Sequence, residues 1–228
     1  MVQGEDVAGD IDIKRKRDPE LTQYRILTAA REEFAEKGFD GARVERIAAK
    51  AQVNKQLLYH YFTNKDHLFM LVLEDAYRDI RRQEAALSLD ALPADEAIMQ
   101  LVDFTWRYYL AHPEFIRLLN SENQLKARHL KLSASVTEIN ASWLNISRTI
   151  LARGQREGSI RSDIDAMQLN ISISALGFFY LINCSTLSLV YQRDLASPEA
   201  LDARLAVMRD TIRCWIRPPD TNAARASG

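Results

Sequence analysis

The residues with the clearest chemical potential lie in one short segment, residues 54–66, whose sequence is NKQLLYHYFTNKD. Three consecutive polar rings, at positions 59–61, stand between the ammonium groups of Lys55 and Lys65. Phenol and ammonium groups donate hydrogen bonds to phosphate oxygens, so this pattern is typical of a surface that contacts a nucleic-acid backbone. The alternative is that the tyrosines are half-buried structural residues and that the lysines only solvate the surface.

This segment is predicted to contain the second of two short helices joined by a tight turn. The first helix covers residues 43–51, where apolar residues recur at helical spacing. After a short break, Asn54 can cap a second helix over residues 55–61, which Leu58 and Phe62 anchor to the preceding helices. This is a helix-turn-helix pattern, in which the second helix enters the major groove of DNA. The pattern is weak by itself, because many helix pairs imitate it.

Positive charge is concentrated in the same part of the chain. The 228 residues carry a formal net charge of −1, which by itself indicates no nucleic-acid partner. Between residues 43 and 67, however, Glu45 and Asp66 are the only acidic residues. The basic residues there are Arg43, Arg46, Lys50, Lys55 and Lys65. A basic patch within a weakly acidic chain favours a site-specific DNA-binding head over a non-specific DNA-packing protein, which would need basic charge along most of its length.

A longer stretch, GFDGARVERIAAKAQVNKQLLYHYFTNKDHLF, closely resembles the DNA-binding domain of the TetR/AcrR (tetracycline-repressor-like) family of bacterial regulators. The resemblance covers about residues 24–73. The matching motifs are Gly-Phe at position 38, Ile-Ala at 47, Ala-Gln-Val-Asn at 51, Leu-Tyr-His-Tyr-Phe at 58 and Lys-x-x-Leu at 65.

Two positions depart from the family pattern. The turn glycine of the family is Gln52 here, and a left-handed backbone at a residue other than glycine costs roughly 1 kcal/mol. The threonine often found before the second helix is Ala42, which removes a phosphate contact and a helix cap. Arg43 or Asp40 is expected to compensate, one for each role.

The resemblance implies a set of DNA contacts within the head. These are Arg43, Lys55, Gln56, Tyr59, His60, Tyr61 and Lys65. Gln56 and Lys55 are expected at base edges, because glutamine pairs bidentately with adenine and lysine favours guanine. Tyr59, Tyr61 and Lys65 are expected at phosphates.

The chain as a whole is predicted to be all-α with about nine helices, because glycine and proline are few and no strand alternation of any length occurs. The resemblance implies an N-terminal three-helix helix-turn-helix head followed by a helical ligand-binding and dimerisation bundle. The predicted domains are a disordered basic arm (1–18), the DNA-binding head (19–64), the effector-binding and dimerisation domain (65–218) and a disordered tail (219–228).

The resemblance implies a homodimer formed by the last two long helices, the eighth over residues 166–192 and the ninth over residues 198–217. Their apolar surface is too wide for one chain to bury. The predicted stripes are Leu176, Phe179, Tyr180, Asn183, Leu187 and Val190 in the eighth helix, and Leu205, Met208, Ile212 and Trp215 in the ninth. Two heads on one dimer could then reach successive major grooves, about 34–36 Å apart, of an inverted-repeat operator.

The resemblance also implies a small, partly apolar effector that binds in the second domain and loosens DNA binding. The connection between the two parts is expected to be a long fourth helix, which Thr63 or Asn64 caps and which reaches about Leu87. The candidate pocket residues are Trp106, Tyr109, Phe115, Asn123, His129, Trp143, Phe178 and Asn183. Each aromatic ring is also explained as an ordinary core residue. The Asn183 amide needs a partner, which a ligand, a water molecule or a second subunit would supply.

Several other classes of protein are disfavoured. A helical-bundle enzyme would need Glu-x-x-His pairs, and the chain has none. Cys184 and Cys214 fit no zinc motif and are expected to be buried thiols, and no metal or cofactor is expected. Residues 166–192 lack charge and are long enough to cross a bilayer, but their interspersed polar residues argue against a membrane span. The N-terminus has no apolar leader, which predicts a cytoplasmic protein.

Overall fold

The computed structural model describes residues 19–219, and the predicted basic arm (1–18) and most of the predicted tail lie outside this range. The described residues form ten α-helices and no strands, which confirms the all-α prediction. The helices are α1 (Pro19–Gly41), α2 (Val44–Lys50), α3 (Lys55–Tyr61), α4 (Lys65–Ala85), α5 (Ala94–Ala111), α6 (Pro113–Gln124), α7 (Val136–Glu157), α8 (Ala166–Ile182), α9 (Cys184–Val190) and α10 (Pro198–Ile216). Two 3₁₀ turns, Leu89–Ala91 and Leu130–Leu132, complete the described part.

Helices α1 to α3 form a compact head around fully buried side chains. Phe34, Ile47 and Leu58, one from each helix, are all 0% exposed. Sequence patterning places the end of the first helix at Gly38, but the helix continues to Gly41 across a kink. Gly38 makes the kink with a φ of 67°, a left-handed value that favours glycine. The kink turns Phe39 inward against Phe34 and Phe69.

The apolar core consists of two clusters. The first joins the head to α4 and to parts of α5 and α6, through residues such as Phe69, Tyr108 and Phe115. The second lies among α5, α7, α8 and α10 around Trp106 and Met208. Because the head shares its core with α4 and α6, it is built onto the rest of the chain through an apolar contact and not through a free linker.

Two predicted helices differ from those in the structure. The sequence predicts a seventh helix from about residue 127, with a possible break near Lys131. In the structure, Lys126 and Ala127 both have a φ of 56° just after α6, and α7 begins only at Val136. The predicted eighth helix is two helices, α8 and α9, bent by 68° at Asn183. The bend changes the direction of the apolar surface that was predicted as one continuous stripe.

Candidate DNA-binding surface and internal cavity

The turn between α2 and α3 contains Gln52 in a left-handed conformation, with a φ of 54°. Arg25, from α1, donates hydrogen bonds from Nη2 to the carbonyl oxygen of Ala51 at 2.5 Å and to Oε1 of Gln52 at 3.0 Å. The turn therefore has the geometry that glycine usually supplies. Arg25, on α1, holds Ala51 and Gln52 of this turn in place.

Ala42 leaves the start of α2 without the usual side-chain cap. Arg43 occupies the N-cap position, and its side chain makes no capping hydrogen bond. Its backbone N–H donates instead to Oε1 of Glu33, on α1, at 3.0 Å. The capping role expected of Asp40 or Arg43 therefore falls to a carboxylate from another helix.

Helix α3 has the predicted bounds, Lys55–Tyr61, because each boundary depends on a local signal. The Asn54 side chain caps its start by accepting from the N–H of Leu57 at 2.7 Å, and Asn64 caps α4 in the same way through His67 at 2.8 Å. Leu58 is fully buried beneath the helix.

The polar residues of α3 are not equally accessible. Lys55, Gln56 and His60 are exposed, Tyr59 is 38% exposed, and Tyr61 is half-buried against the apolar core of the head. The outer edge of the helix is therefore free to meet a nucleic acid. Tyr61 therefore has a structural role, and its phosphate contact stays a prediction.

Carboxylates form ion pairs with most of the basic residues of the head. These residues, here called the basic rim, are Arg43, Arg46, Lys50, Lys55 and Lys65. Lys55 Nζ lies 2.5 Å from Glu45 Oε1, and Lys50 pairs with Glu32. The partner of Lys55 lies within residues 43–67, whereas the partner of Lys50 lies on α1. The ionic contacts raise the pKa of both lysines. The charge balance of residues 43–67 alone does not include α1, whose Glu32 and Glu33 lie against the basic segment.

Lys65 has a different environment. Its Nζ lies 4.6 Å from the centre of the Phe39 ring and 3.5 Å from the carbonyl oxygen of Asp40. Partial burial lowers the pKa of Lys65. Its ammonium group is held at the start of α4, beside the short last segment of α1 that follows the kink.

A partly open cavity of about 510 Å³ lies below the head, between α4, α5, α6, α7 and α8. Its walls are mostly aromatic and aliphatic, with a few polar groups, as in most small-molecule sites. The residues that line it are Tyr77, Ile80, Arg81, Thr105, Tyr109, Phe115, Leu119, Asn123, Trp143, Ile171, Ser174, Ala175 and Phe178.

Five of the eight residues predicted for a pocket line this cavity. They are Tyr109, Phe115, Asn123, Trp143 and Phe178. The other three lie elsewhere. Trp106 is 2% exposed in the second core cluster, with its ring 5.9 Å from that of Tyr180. The Asn183 amide donates to the carbonyl oxygen of Phe179 at 2.8 Å, so its own helix satisfies it.

His129, the third residue outside the cavity, is completely buried beneath the head. Its ring lies 4.4 Å from that of Phe39 and 4.9 Å from that of Phe69. Its Nδ1 lies 2.7 Å from Oε2 of Glu122, on α6, and its Nε2 lies 3.3 Å from Oδ1 of Asp66, on α4. His129 is therefore a structural link between α4, α6 and the kinked end of α1.

Arg81 is the one charged residue among the eight cavity-lining residues that were not predicted from the sequence. It lies on α4 and its side chain is 9% exposed, with its guanidinium carbon 4.3 Å from the centre of the Trp143 ring. Glu84 Oε2 lies 2.9 Å from its Nη1. The sequence does contain a signal: Tyr77, Arg81 and Glu84 continue the buried stripe of α4 past Leu73 at helical spacing, so two charges fall on an inward-facing line.

The outward surface of α8 and α10 is apolar, but it contains only part of the predicted stripe. Met208 and Ile212 are 0% and 1% exposed, because they fill the second core cluster within the subunit. Phe179, a member of the predicted stripe, is 60% exposed, and Ile171 and Val207, which were not in it, are each 51% exposed. Cys214 is also exposed on α10, so the expectation of a buried thiol is wrong for this residue, and Cys184 is only half-buried.

Residues 19–219 contain no group of three or more histidine, cysteine, aspartate or glutamate side chains that could hold a metal ion. No single helix in that range is long and apolar enough to cross a membrane; α8 and α9 pass that test only as a pair, across their 68° bend.

Comparison with known proteins agrees with this arrangement of a helix-turn-helix head on a helical bundle. Residues 26–72 match the bacterial regulatory proteins of the tetR family, and residues 95–212 match a tetracyclin repressor-like C-terminal domain. The HTH-type transcriptional repressor NicS of Pseudomonas putida is 36% identical over 186 residues, which are 82% of this chain and 88% of that protein.

Solved structures show the same fold. The transcriptional regulator SCO4942 of Streptomyces coelicolor aligns with a TM-score of 0.65 and 25% identity over 86% of this chain and 99% of that one. FadR of Bacillus subtilis, solved in complex with stearoyl-CoA, aligns with a TM-score of 0.63 and 22% identity over 85% and 99% of the two chains. The fold and the head define a transcriptional regulator of the helix-turn-helix class. The chain belongs to the TetR family of bacterial regulators.

Proposed function

We propose that this protein is a ligand-responsive transcriptional repressor that binds an inverted-repeat operator as a homodimer and is released by a small, partly apolar effector. Repression is favoured because the relative NicS is named as a transcriptional repressor. The DNA contacts we assign are Arg43, Lys55, Gln56, Tyr59, His60, Tyr61 and Lys65.

One observation carries the coupling between ligand and DNA. Helix α6 lines the cavity with Phe115, Leu119 and Asn123, and the end of the same helix meets the head. There the backbone N–H of Phe39 donates to Oγ of Ser121 at 3.1 Å, and Glu122 binds His129. A ligand that moves α6 therefore acts on the head directly, in addition to the path through α4 that was expected from the sequence.

The exposed apolar surface of α8 and α10 supports dimerisation. Burial of large exposed apolar side chains such as Phe179 and Val207 against a partner lowers the free energy of the complex. A second copy of the chain is the partner that family membership favours. The effector shifts the dimer away from DNA only as far as its affinities for the two conformations differ.

The function is tested by titrating the purified protein onto labelled DNA from upstream of its own gene, at two salt concentrations and with random competitor DNA. We expect specific binding that survives the competitor and weakens with salt. Tyr59→Phe removes one hydrogen-bond donor from the exposed edge of α3 and is expected to weaken binding roughly three- to tenfold. Tyr191→Phe, at a tyrosine that is 69% exposed outside the head, is the matched control.

Equal affinity for every DNA tested would contradict the proposal and indicate a DNA-packing protein instead. Unchanged operator affinity for a protein saturated with its cavity ligand would contradict the effector part alone. The two parts can therefore fail separately.

A further inference from the structure

The cavity wall contains one charged side chain, Arg81, among the described residues that line it. Its Nε and Nη1 atoms are buried and donate no hydrogen bond to any residue within 19–219. Buried donors of an ionised group are costly when they lack acceptors, so an unsatisfied arginine in a cavity wall indicates that the cavity accepts an anion.

The nearby carboxylate does not satisfy this arginine. Glu84 Oε2 is 2.9 Å from Nη1 of Arg81, but the pair lacks hydrogen-bond geometry, and both Glu84 oxygens are without a donor in the described part of the chain. Glu84 also borders a second cavity, with Asp90, Asn145 and Thr149, and not the cavity that Arg81 lines. Burial raises the pKa of Glu84 to about 7, so its negative charge is only partly present at neutral pH.

The shape of the cavity limits the body of the anion. The Arg81 guanidinium lies over the Trp143 ring, and the Tyr109 and Phe115 rings are parallel within 23°, with centroids 5.9 Å apart. Such surfaces favour a flat, polarisable group that can stack on them. Asn123, Thr105 and Ser174 supply a few polar contacts to orient it.

The charge of the cavity limits the head group. A guanidinium matches the two oxygens of a carboxylate with two parallel hydrogen bonds. The single arginine of this cavity, Arg81, suits a ligand with a single negative charge. A phosphate or a coenzyme A diphosphate would need further cations, and the other twelve residues that line the cavity are uncharged.

We propose that the cavity binds a small aromatic monocarboxylate, with its carboxylate on Arg81 and its ring among Trp143, Phe115 and Tyr109. This inference rests on the proposed function, because it names the chemical class of the effector. A partner for the carboxylate and aromatic surfaces for the ring therefore line the same cavity.

The test uses the full-length protein and defined probes. Benzoate and 2-naphthoate are titrated while intrinsic tryptophan fluorescence is followed, since Arg81 stacks on Trp143 and a ligand there changes the environment of the indole. Benzamide and 2-naphthamide have the same shape without the charge, and decanoate has the charge without the ring. Calorimetry with the same probes gives the dissociation constants.

The arginine is tested in the variant Arg81→Met/Glu84→Gln, which removes both members of the buried pair. Removing Arg81 alone would leave a buried carboxylate unpaired, whereas neutralising both partners is often tolerated. Arg82→Met, at the neighbouring arginine that is exposed and paired with Asp79, is the matched control. Circular dichroism establishes that each variant is folded.

We expect an acid to bind about tenfold or more tightly than its amide, because a charge-assisted pair replaces a neutral contact. This preference is expected to disappear in the double variant and to persist in Arg82→Met. Equal binding of acid and amide to the native protein, tighter binding of decanoate, or no saturable binding of either aromatic acid at millimolar concentration would overturn the proposal, whether or not the double variant folds.

Operator titrations in parallel separate this inference from the proposed function. Specific operator binding with no preference for the acids contradicts the ligand class and leaves the repressor function standing. Arginine-dependent binding of an acid that does not change operator affinity supports the site and contradicts the effector role.

Discussion

Glu122 and His129 meet at 2.7 Å beneath the DNA-binding head, where they are 1% and 0% exposed. Oε1 of the same glutamate accepts the backbone N–H groups of His129 and Leu130, at 2.7 Å and 2.9 Å. One carboxylate thus fixes the loop after α6 against the head. Asn123, the next residue on α6, already lines the cavity.

Glu122→Ala is expected to destabilise the fold by about 3 kcal/mol or more, because it leaves two buried backbone N–H groups and an imidazole without their acceptor. The free energy of unfolding in urea measures this effect. Glu114→Ala, at a half-buried position on the same helix, is expected to change it by less than about 1 kcal/mol. Similar losses in the two variants would show that the buried link is unimportant.

The left-handed residue Gln52 gives a prediction about local strain. Gln52→Gly is expected to stabilise the protein by about 0.5–1 kcal/mol, because glycine adopts this conformation without steric cost. Gln52→Ala retains the strain and loses the hydrogen bond from Arg25, so it is expected to be less stable than the native protein. Thermal melts of the three proteins would refute this account if the alanine variant were the most stable.

The Lys55–Glu45 pair gives a prediction about affinity for DNA. Glu45→Gln is expected to increase binding to operator and random DNA alike by up to about fivefold at low salt, since it frees Lys55 and removes a negative charge that faces the phosphates. Glu157→Gln removes the same charge from the exposed end of α7 and serves as the control. A gain for the operator alone would mean that Glu45 acts on sequence recognition and not on general electrostatics.

The elevated pKa of Glu84 predicts a dependence of stability on pH. Burial raises the pKa from 4.5 to about 7, against the weaker opposing effect of Arg81. Between these two values the folded protein binds a proton that the unfolded chain has released, so stability falls as pH rises from about 4.5 to 7 and then levels off. This contribution amounts to roughly 3 kcal/mol.

Glu84→Gln is expected to abolish this part of the pH dependence. The difference in unfolding free energy between the native protein and the variant, measured at several pH values, isolates Glu84 because the other titrating groups are common to both. A difference that stays constant between pH 4.5 and 7 would show that the folded-state pKa is not raised.

The apolar surface of α8 and α10 predicts the effect of a charge there. Phe179→Asp is expected to produce monomers that remain folded, because the side chain it replaces is 60% exposed within the subunit. The monomer is expected to lose most of its operator affinity, since each head then binds one half-site alone. Sedimentation measures the oligomeric state. Leu132→Asp, at a residue that is 72% exposed away from both helices, is expected to remain dimeric.

Sequence reasoning succeeds where the signals are local. The bounds of α3 follow from the two asparagine caps, and the left-handed Gln52 follows from its place in a tight turn. The break at Asn183 was missed because no proline or glycine marks it, and the inward direction of Met208 depends on which other helices pack around α10.

The interior sites depend on contacts between distant parts of the chain. His129 was predicted as a ligand contact, yet its partners are Phe39, Asp66 and Glu122, from three helices. The role of Arg81 required knowing that α7 brings Trp143 over it, 62 positions along the chain. Periodicity indicates that such residues face inward, but it does not identify their neighbours.

The carboxylates along the basic rim alter what happens when the head meets DNA. Lys55 and Lys50 already pair with Glu45 and Glu32, so they attract few mobile anions from solution. A phosphate that binds Lys55 must displace a fixed side chain as well as release condensed counterions from the DNA. Association is then partly an exchange of ionic partners within the complex. The slope of log affinity against log salt is accordingly expected to be shallower than the number of phosphate contacts would give.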